Sequence, residues 1–129
     1  MPIINSYVNI DSVEREAKKD YIDRHSPFIS VAQTAKAGEK LPVNIRLGQS
    51  YEHPDDPDHY IAEIKLFDGE TLLASATLLT GINGGQGNKG HAEVTFFIVP
   101  HKKLKLTALS YCTKHGLWQS QPVEVDVVA

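Results

Sequence analysis

The chain has one cysteine, Cys112, and it stands three positions before a histidine, His115. A lone cysteine cannot close a disulfide within the chain, so its role is packing, redox chemistry or metal ligation. His53 and His59 lie far upstream in one short segment, and His25 precedes both. One thiolate and four imidazoles from three separated segments make a candidate five-ligand metal site.

These donors stand where a fold can bring them together. Two prolines between His53 and His59 favour a turn that returns both imidazoles to one point. Gly116 permits a sharp change of direction after the C-terminal pair. Each histidine alone is a weak signal, since surface or hydrogen-bonded histidines are common, and the prediction depends on the joint pattern.

The elements that must position these residues are mostly β-strands. Residues 43–47, 62–66, 104–109 and 123–127 alternate apolar and polar side chains, as half-buried strands do. Residues 72–79 and 92–99 are more continuously apolar, which suits strands covered on both faces. With residues 28–33 this makes seven strands, and it predicts an all-β fold, a seven-stranded antiparallel immunoglobulin-like β-sandwich.

Two segments depart from the strand pattern. Residues 11–14 have the form of a capping box and predict a short helix over 14–19, within an N-terminal extension comprising residues 1–22. Residues 81–90 hold five of the nine glycines and are interpreted as a flexible hairpin. Asp55, Asp56 and Asp58 do not follow EF-hand spacing and predict a solvated loop. His91 and His101 have no motif around them and are expected to be structural or surface residues.

Length and composition exclude several classes. A chain of 129 residues predicts one domain, spanning 1–129. A net charge of −3 gives no basic stripe for nucleic acid. No apolar run approaches the ~20 residues that span a bilayer, so no membrane partner is expected. The first residues lack the features of a secretory signal, and a free cysteine persists in reducing compartments, so we expect a cytoplasmic protein.

The donor set also constrains the metal. Structural zinc prefers a closed tetrahedron, often with several thiolates. Four imidazoles and one thiolate suit a square pyramid instead, with a sixth position open opposite the sulfur. Affinity alone favours copper or zinc over iron, so geometry and availability must select the ion. An axial thiolate on iron pushes electron density toward the opposite ligand. Such an ion is suited to giving one electron to a small oxygen species.

Three strings resemble the superoxide reductase family: DRHSP at 23–27, HPDDPDHYI at 53–61 and LSYCTKHGLW at 109–118. The resemblance covers about residues 22–125 and is most specific in the third string. It implies an immunoglobulin-like sandwich that reduces superoxide, with one electron and two protons, to hydrogen peroxide. It implies the one-iron, neelaredoxin-like form, equivalent to the iron domain of desulfoferrodoxin. The implied iron ligands are His25, His53, His59 and His115 as equatorial donors and Cys112 as the axial donor.

Three positions, Asp23, Arg24 and Tyr60, depart from the family pattern, and Lys114 bears on one of these departures. Asp23 aligns with a family glutamate that can close the sixth position, and its carboxylate is one methylene shorter. Arg24 aligns with a family lysine that attracts superoxide, and arginine is a poor proton donor. Lys114 is a second candidate for the attracting cation, although a solvated turn residue fits the sequence equally well. Tyr60 replaces the second histidine of a family pair and is not expected to be a ligand.

The resemblance also implies partners. The substrate is superoxide, the electron donor is a protein such as rubredoxin, and the assembly is a homo-oligomer, a tetramer or a dimer, for which residues 96–99 offer an apolar contact. The alternative from another class is a non-catalytic immunoglobulin-like metal-binding or sulfur-carrier module. A third interpretation is a metal-storage or sensor protein with the same ligands and no turnover. Metal analysis and superoxide kinetics separate the three.

Overall fold

The computed structural model describes residues 2–129, which form two facing β-sheets, a small third sheet and one α-helix. A 3-10 helix, Ile10–Ser12, precedes the helix α1, Glu16–His25. The strands are β1 Ile4–Ser6, β2 Pro27–Ser30, β3 Thr34–Lys36, β4 Leu41–Leu47, β5 His53–Pro54, β6 Ile61–Asp68, β7 Thr71–Thr77, β8 Lys89–Gly90, β9 Glu93–Ile98, β10 Leu104–Cys112, β11 Gly116–Gln119 and β12 Val123–Val128.

The predicted sandwich is confirmed. One sheet contains seven strands, β1, β3, β6, β7, β10, β11 and β12, and the other has the order β2-β4-β9. All seven predicted segments form strands in these two sheets. Most pairs are antiparallel, but β1 runs parallel to β11 and β3 runs parallel to β12. Three short strands outside the predicted ones, β1, β3 and β11, extend the larger sheet, and it is mixed because β1 and β3 run parallel to their neighbours.

The core fills the space between the two sheets. Val43, Ile45 and Leu47 alternate with more exposed residues along β4 and are fully buried. Ile64 of β6 and Leu106 of β10 are likewise fully buried in the same apolar cluster. Burial of a side chain of this size contributes about 1.5–3 kcal/mol to the free energy of folding. The apolar side chains that alternate along the strands are therefore the main source of the stability of the two packed sheets.

The N-terminal helix differs from its prediction. Asn9, not the predicted capping box, begins the first helical segment, by accepting a hydrogen bond from the Asp11 N–H at 3.0 Å. The α-helix starts later than predicted and extends to His25. It ends there because Pro27 disfavours a helical conformation at Ser26, whose N–H and hydroxyl both donate to the Ile22 carbonyl. His25 therefore lies on the last helical turn.

The glycine-rich connector is not a hairpin. β7 and β9, the strands on either side of it, belong to different sheets, so the connector crosses from one sheet to the other. Its end, β8, pairs antiparallel with β5, matching Gly90 with His53. The prediction of a hairpin was wrong because strand periodicity does not show which sheet each strand joins.

The candidate donors meet where β10 ends and β6 begins. Cys112 at the end of β10 pairs with Ile61 at the start of β6, after a shift of register between Tyr111 and Cys112. Among residues 2–129, neither helix is long and apolar enough to cross a membrane.

Candidate metal centre

Five candidate donor side chains converge where β10 ends and β6 begins. His25, His53, His59 and Cys112 each offer one ligand atom, and these atoms lie within 4.8 Å of one another. The fifth residue, His115, joins them because its Nδ1 lies 3.1 Å from His25 Nε2 and 3.8 Å from Cys112 Sγ. Residues from α1, β5, β10 and two turns thus surround a single point.

The four imidazoles form a four-sided arrangement in the order His25, His53, His59, His115. Neighbouring rings have centroids 4.7 to 4.9 Å apart and planes inclined by 72° to 81°. His25 and His59, across the centre, are 6.1 Å apart and inclined by 25°. Cys112 Sγ contacts two opposite corners, His53 Nε2 at 3.4 Å and His115 Nδ1 at 3.8 Å. The sulfur therefore lies near the axis of the four rings.

Two turns deliver the remaining histidines. Reciprocal backbone hydrogen bonds between Asp56 and His59, 3.0 and 2.9 Å long, close the turn that carries His59. The turn after Cys112 returns through Gly116, whose φ of 82° is readily accessible to glycine. The Thr113 N–H donates to the Tyr60 carbonyl at 3.0 Å and joins the two turns.

Backbone carbonyls fix the orientation of two rings. His25 Nδ1 donates to the Tyr21 carbonyl at 2.6 Å, and His53 Nδ1 donates to the Pro54 carbonyl at 2.7 Å. Because a carbonyl oxygen only accepts, Nδ1 carries the hydrogen and Nε2 directs its lone pair at the other donors. This is the usual second contact of a metal-binding histidine.

The centre fits a cation. His59 Nε2 is buried and has no hydrogen-bond partner among residues 2–129. A buried polar atom without a partner costs about 1–3 kcal/mol, and a metal ion bound by the neighbouring donors would use this lone pair. Four nitrogens and one soft sulfur, with no carboxylate among the converging atoms, match a transition metal and not calcium or magnesium.

Burial keeps the imidazoles neutral. It lowers the pKa of His25 to about 3 and that of His53 to about 4, more than their backbone hydrogen bonds raise them. Burial also lowers the pKa values of His59 and His115. Neutral rings keep the lone pairs that ligation needs.

The sulfur is in a dry but hydrogen-bonded environment. Burial raises the pKa of Cys112, while the backbone N–H groups of Lys114 and His115 act in the opposite direction. A bound metal ion would hold Cys112 as the thiolate, and the same two amides would stabilise that thiolate.

Two aromatic side chains support the rings from behind. Trp118 stacks on His25 with centroids 5.1 Å apart and planes inclined by 17°, and its Nε1 donates to the His115 carbonyl at 3.2 Å. Tyr21 packs edge-on against His115 at 5.1 Å. The sequence analysis missed Tyr21; its position one helical turn before His25 is the signal that places it beside that ring.

Asp23 is not among the converging donors and binds backbone amides instead. It is buried and accepts hydrogen bonds from the N–H groups of Gln49, Ser50 and Tyr51, with shortest distances of 3.1, 3.0 and 2.9 Å. The chain bends at Gly48, where φ is +80° and a Cβ would lie 2.4 Å from the Tyr51 carbonyl oxygen. Asp23 thereby ties α1 to the segment that leads into His53.

Two cations flank the centre. Arg24 is half-buried, with its Nε 3.7 Å from Asp20 Oδ1. Its charge lowers the pKa values of all four clustered histidines, and exposed Lys114 lowers those of His59 and His115. Both positive charges therefore act on the donor cluster.

The segment between the two central histidines is not a fully solvated loop. Asp55 is 1% exposed and accepts hydrogen bonds from the backbone N–H groups of Gly81, Asn83 and Gly85. This role was not predicted from the sequence. The available signal was the glycine-rich segment 81–90, whose backbone N–H groups lie outside the predicted strands and are free to bind a carboxylate. His91 lies outside the cluster and contacts the Leu47 carbonyl through Nδ1 at 2.9 Å.

Comparisons with known proteins show which family of metal-binding proteins this chain resembles. The Desulfoferrodoxin family model matches residues 13–121. A superoxide reductase from Pyrococcus abyssi is 33% identical over 104 residues, covering 77% of this chain and 85% of that protein. A neelaredoxin from Megalodesulfovibrio gigas is 28% identical over 110 residues, covering 76% and 84%.

Solved structures agree with the sequence matches. The superoxide reductase (neelaredoxin) from Ignicoccus hospitalis superimposes with a TM-score of 0.73 at 25% identity, covering 97% of this chain and 95% of that one. The superoxide reductase from Nanoarchaeum equitans gives a TM-score of 0.68 at 26% identity, covering 95% and 100%. With the family model matched over most of its length, this chain belongs to the superoxide reductase family of desulfoferrodoxin-type proteins.

Proposed function

We propose that this protein is a superoxide reductase, an enzyme that converts superoxide, one electron and two protons into hydrogen peroxide. The observation that carries the proposal is the convergence of four neutral imidazoles and one thiol in a chain of this family. Residues 1–129 act as one domain, with 1–22 as an extension that begins the helix bearing His25.

The cofactor is a single non-haem iron ion. His25, His53, His59 and His115 would hold it through imidazole nitrogens, and Cys112 would hold it through its thiolate sulfur. Bound iron supplies the one-electron chemistry, since it alternates between the ferrous and ferric states. The N–H groups of Lys114 and His115 would moderate the donor strength of the sulfur, because hydrogen bonds to a ligand tune the metal.

Arg24 and Lys114 attract the substrate. The protein carries a formal net charge of −3, yet the local field governs the approach of a small anion. The charge of Arg24 lowers the pKa of every histidine in the cluster, and the exposed Lys114 lowers the pKa values of His59 and His115. A guanidinium is a poor proton donor, so the role of Arg24 is attraction and not proton donation.

Asp23 holds the loop and is not a sixth ligand in this proposal. Its carboxylate already accepts bonds from three consecutive backbone amides. Moving it toward the donor cluster would leave those amides without their acceptor, at a cost of about 1–3 kcal/mol each if they stayed buried.

A protein donor such as rubredoxin supplies the electron that the iron centre gives to superoxide. The reaction takes place in the cytoplasm, where a free buried cysteine stays reduced. The chain assembles as a homo-oligomer, a tetramer or a dimer. Exposed apolar residues on β7 and β9 support this assembly, notably Leu73 at 39% and Phe97 at 65% exposed.

A non-catalytic carrier module is less consistent with the centre. Such a module has no use for four imidazoles held neutral around one thiol. Without an ion, His59 Nε2 would remain buried with no partner among the described residues.

The test combines metal analysis with product stoichiometry. The protein should contain one iron per chain and form one hydrogen peroxide per superoxide consumed when a reductant is supplied. Dismutation would give half that yield and release dioxygen. His101→Ala, which changes an exposed histidine outside the cluster, serves as the control. Iron well below one per chain, or dioxygen release, would overturn the proposal.

A further inference from the structure

A buried carboxylate, that of Asp55, lies between His53 and His59 in the sequence. Asp55 Oδ1 accepts from the Gly81 N–H at 2.8 Å, and Oδ2 accepts from the N–H groups of Asn83 and Gly85 at 2.8 and 3.0 Å. The backbone carbonyl of Asp55 accepts a further bond from the Thr80 hydroxyl at 3.3 Å. The side chain of this one residue thus organises a turn of the glycine-rich connector.

The connector is shaped around that carboxylate. Gly81, Gly84 and Gly85 have φ values of 101°, 101° and 60°, which other residues rarely adopt. A Cβ on Gly90 would lie 2.7 Å from the side chain of Asn83. Three amides can point at one carboxylate only because this backbone is free to fold so tightly.

The connector in turn borders the donor cluster on the His53 side. β8, its last part, pairs with β5 and sets Gly90 opposite His53. The Gly87 N–H donates to Asp56 Oδ1 at 3.2 Å, in the turn that delivers His59. The position of the connector and the positions of both histidines are therefore linked through residues 53–56.

We propose that Asp55 is a positioning residue for the metal centre, which sets the orientation of His53 and His59 by anchoring the glycine-rich connector. It acts through backbone amides, and within residues 2–129 it forms no hydrogen bond with a donor of the centre. The inference deepens the proposed function, since it requires that His53 and His59 bind the metal.

Three substitutions separate positioning from charge and from general stability. Asp55→Asn keeps the size and removes the charge, but its NH2 group would face amide donors. Asp55→Glu keeps the charge and displaces the oxygens by one methylene. Thr80→Val removes only the hydrogen bond to the Asp55 carbonyl and provides a mild variant if the others fold poorly.

Asp68→Asn is the matched control. Asp68 also accepts a backbone N–H, from Lys105 at 3.0 Å, but it lies at the opposite end of β6 from the centre. A general effect of losing a carboxylate–amide bond lowers the melting temperature of both variants, whereas a positioning effect changes cobalt affinity and spectrum only at Asp55.

The readouts are cobalt affinity by competition with a chelator, the visible spectrum of the cobalt-loaded protein, and melting of the metal-free protein. We expect Asp55→Asn and Asp55→Glu to weaken affinity about 10- to 100-fold, as losses of outer contacts do, and to alter the spectrum. Thr80→Val should shift both in the same direction by a smaller amount, and Asp68→Asn should change neither.

The inference would be overturned if cobalt affinity and spectrum did not change in Asp55→Asn, or if they changed equally in Asp68→Asn. It would also be overturned if Asp55→Glu had the affinity and spectrum of the parent, because the negative charge alone would then be sufficient. His53→Ala separates this failure from that of the proposed function. If His53→Ala binds cobalt as the parent does, the metal centre itself is wrong. If it loses cobalt while Asp55→Asn does not, only the positioning role fails.

Discussion

Among single residues, the five candidate donors differ from their supports in what their polar atoms contact. The donors direct ring nitrogens and sulfur at one another, at distances such as 3.1 Å between His115 and His25. The supports, Asp23, Asp55 and Trp118, direct their polar atoms at backbone groups. Substitution of a donor should therefore remove chemistry, and substitution of a support should loosen the geometry.

Replacing Cys112 by serine tests the sulfur donor. Cys112→Ser should keep the fold, because the two side chains have nearly the same size. It should lose the thiolate-to-iron charge-transfer absorption of the oxidised protein, and turnover with it. A visible spectrum that persists in the serine variant would show that sulfur does not bind the iron.

Replacing the flanking cations tests substrate attraction. Lys114→Ala and Arg24→Ala should each lower the second-order rate with superoxide several-fold and flatten its dependence on ionic strength, because steering of an anion is screened by salt. Stopped-flow or pulse-radiolysis kinetics at two salt concentrations measure both effects.

Lys103→Ala provides the control, since Lys103 pairs with Glu124 at 3.3 Å beside the opposite end of β10. It removes the same charge at a distance from the centre. A rate and a salt dependence unchanged in Lys114→Ala would leave Arg24 as the attracting residue.

Between elements, the decisive contacts join segments that are distant in the sequence. Asp23 on α1 binds the loop before β5, and Asp55 after β5 binds the connector before β8. The segment that carries His53 is therefore held from both sides by buried carboxylates. Regular strands supply the frame, and these two acids determine how the loops lie against it.

The turn at Gly48 offers a test at this scale. Gly48→Ala should destabilise the protein more than Gly38→Ala, although φ is similar, +80° against +84°. Alanine at position 38 meets no atom of the described chain within 4 Å and incurs only the conformational cost, about 1–2 kcal/mol. At position 48 a Cβ would also collide with the Tyr51 carbonyl oxygen. Denaturant unfolding of both variants measures the difference, and equal losses would contradict the close contact.

The sequence indicated the donors better than their supports. A cysteine three positions before a histidine, or a His-Pro pair before a turn, is a local pattern that survives without a structure. The bonds of Asp23 and Asp55 to backbone amides depend on how two loops approach each other, and amides carry no side-chain signature. The bounds of α1 were also mispredicted, since no side-chain cap marks its start after Arg15 and Pro27 determines its end.

For the whole molecule, seven strands were predictable because burial alternates along them, as in β4. The two parallel additions, β1 and β3, were not, because strands of three residues are too short to show a period. The sandwich is thus encoded in its hydrophobic pattern, while its edges depend on tertiary contacts.

The buried histidines predict how the stability of the metal-free protein depends on pH. His25 and His53 have folded-state pKa values of about 3 and about 4, below their ordinary value of 6.5. Between pH 4 and 6.5 the unfolded chain binds these protons and the folded chain does not, so stability falls as the pH falls. Each histidine contributes a slope of about 1.4 kcal/mol per pH unit at most.

Chelator-treated protein unfolded in denaturant at several pH values would measure that slope. His53→Asn should reduce it by the share of one histidine. A free energy of unfolding that is flat from pH 7 to 4.5 would contradict the neutral, buried rings.

The register that pairs Cys112 with Ile61 also constrains biosynthesis. A ribosome completes His25, His53 and His59 well before it reaches the sulfur, so the emerging polypeptide first displays a partial, all-nitrogen set. Such a set lacks Cys112 and His115, so it cannot offer the five-donor geometry, and affinity alone favours copper or zinc over iron. The complete donor set therefore exists only once the late strand β10 has docked on β6.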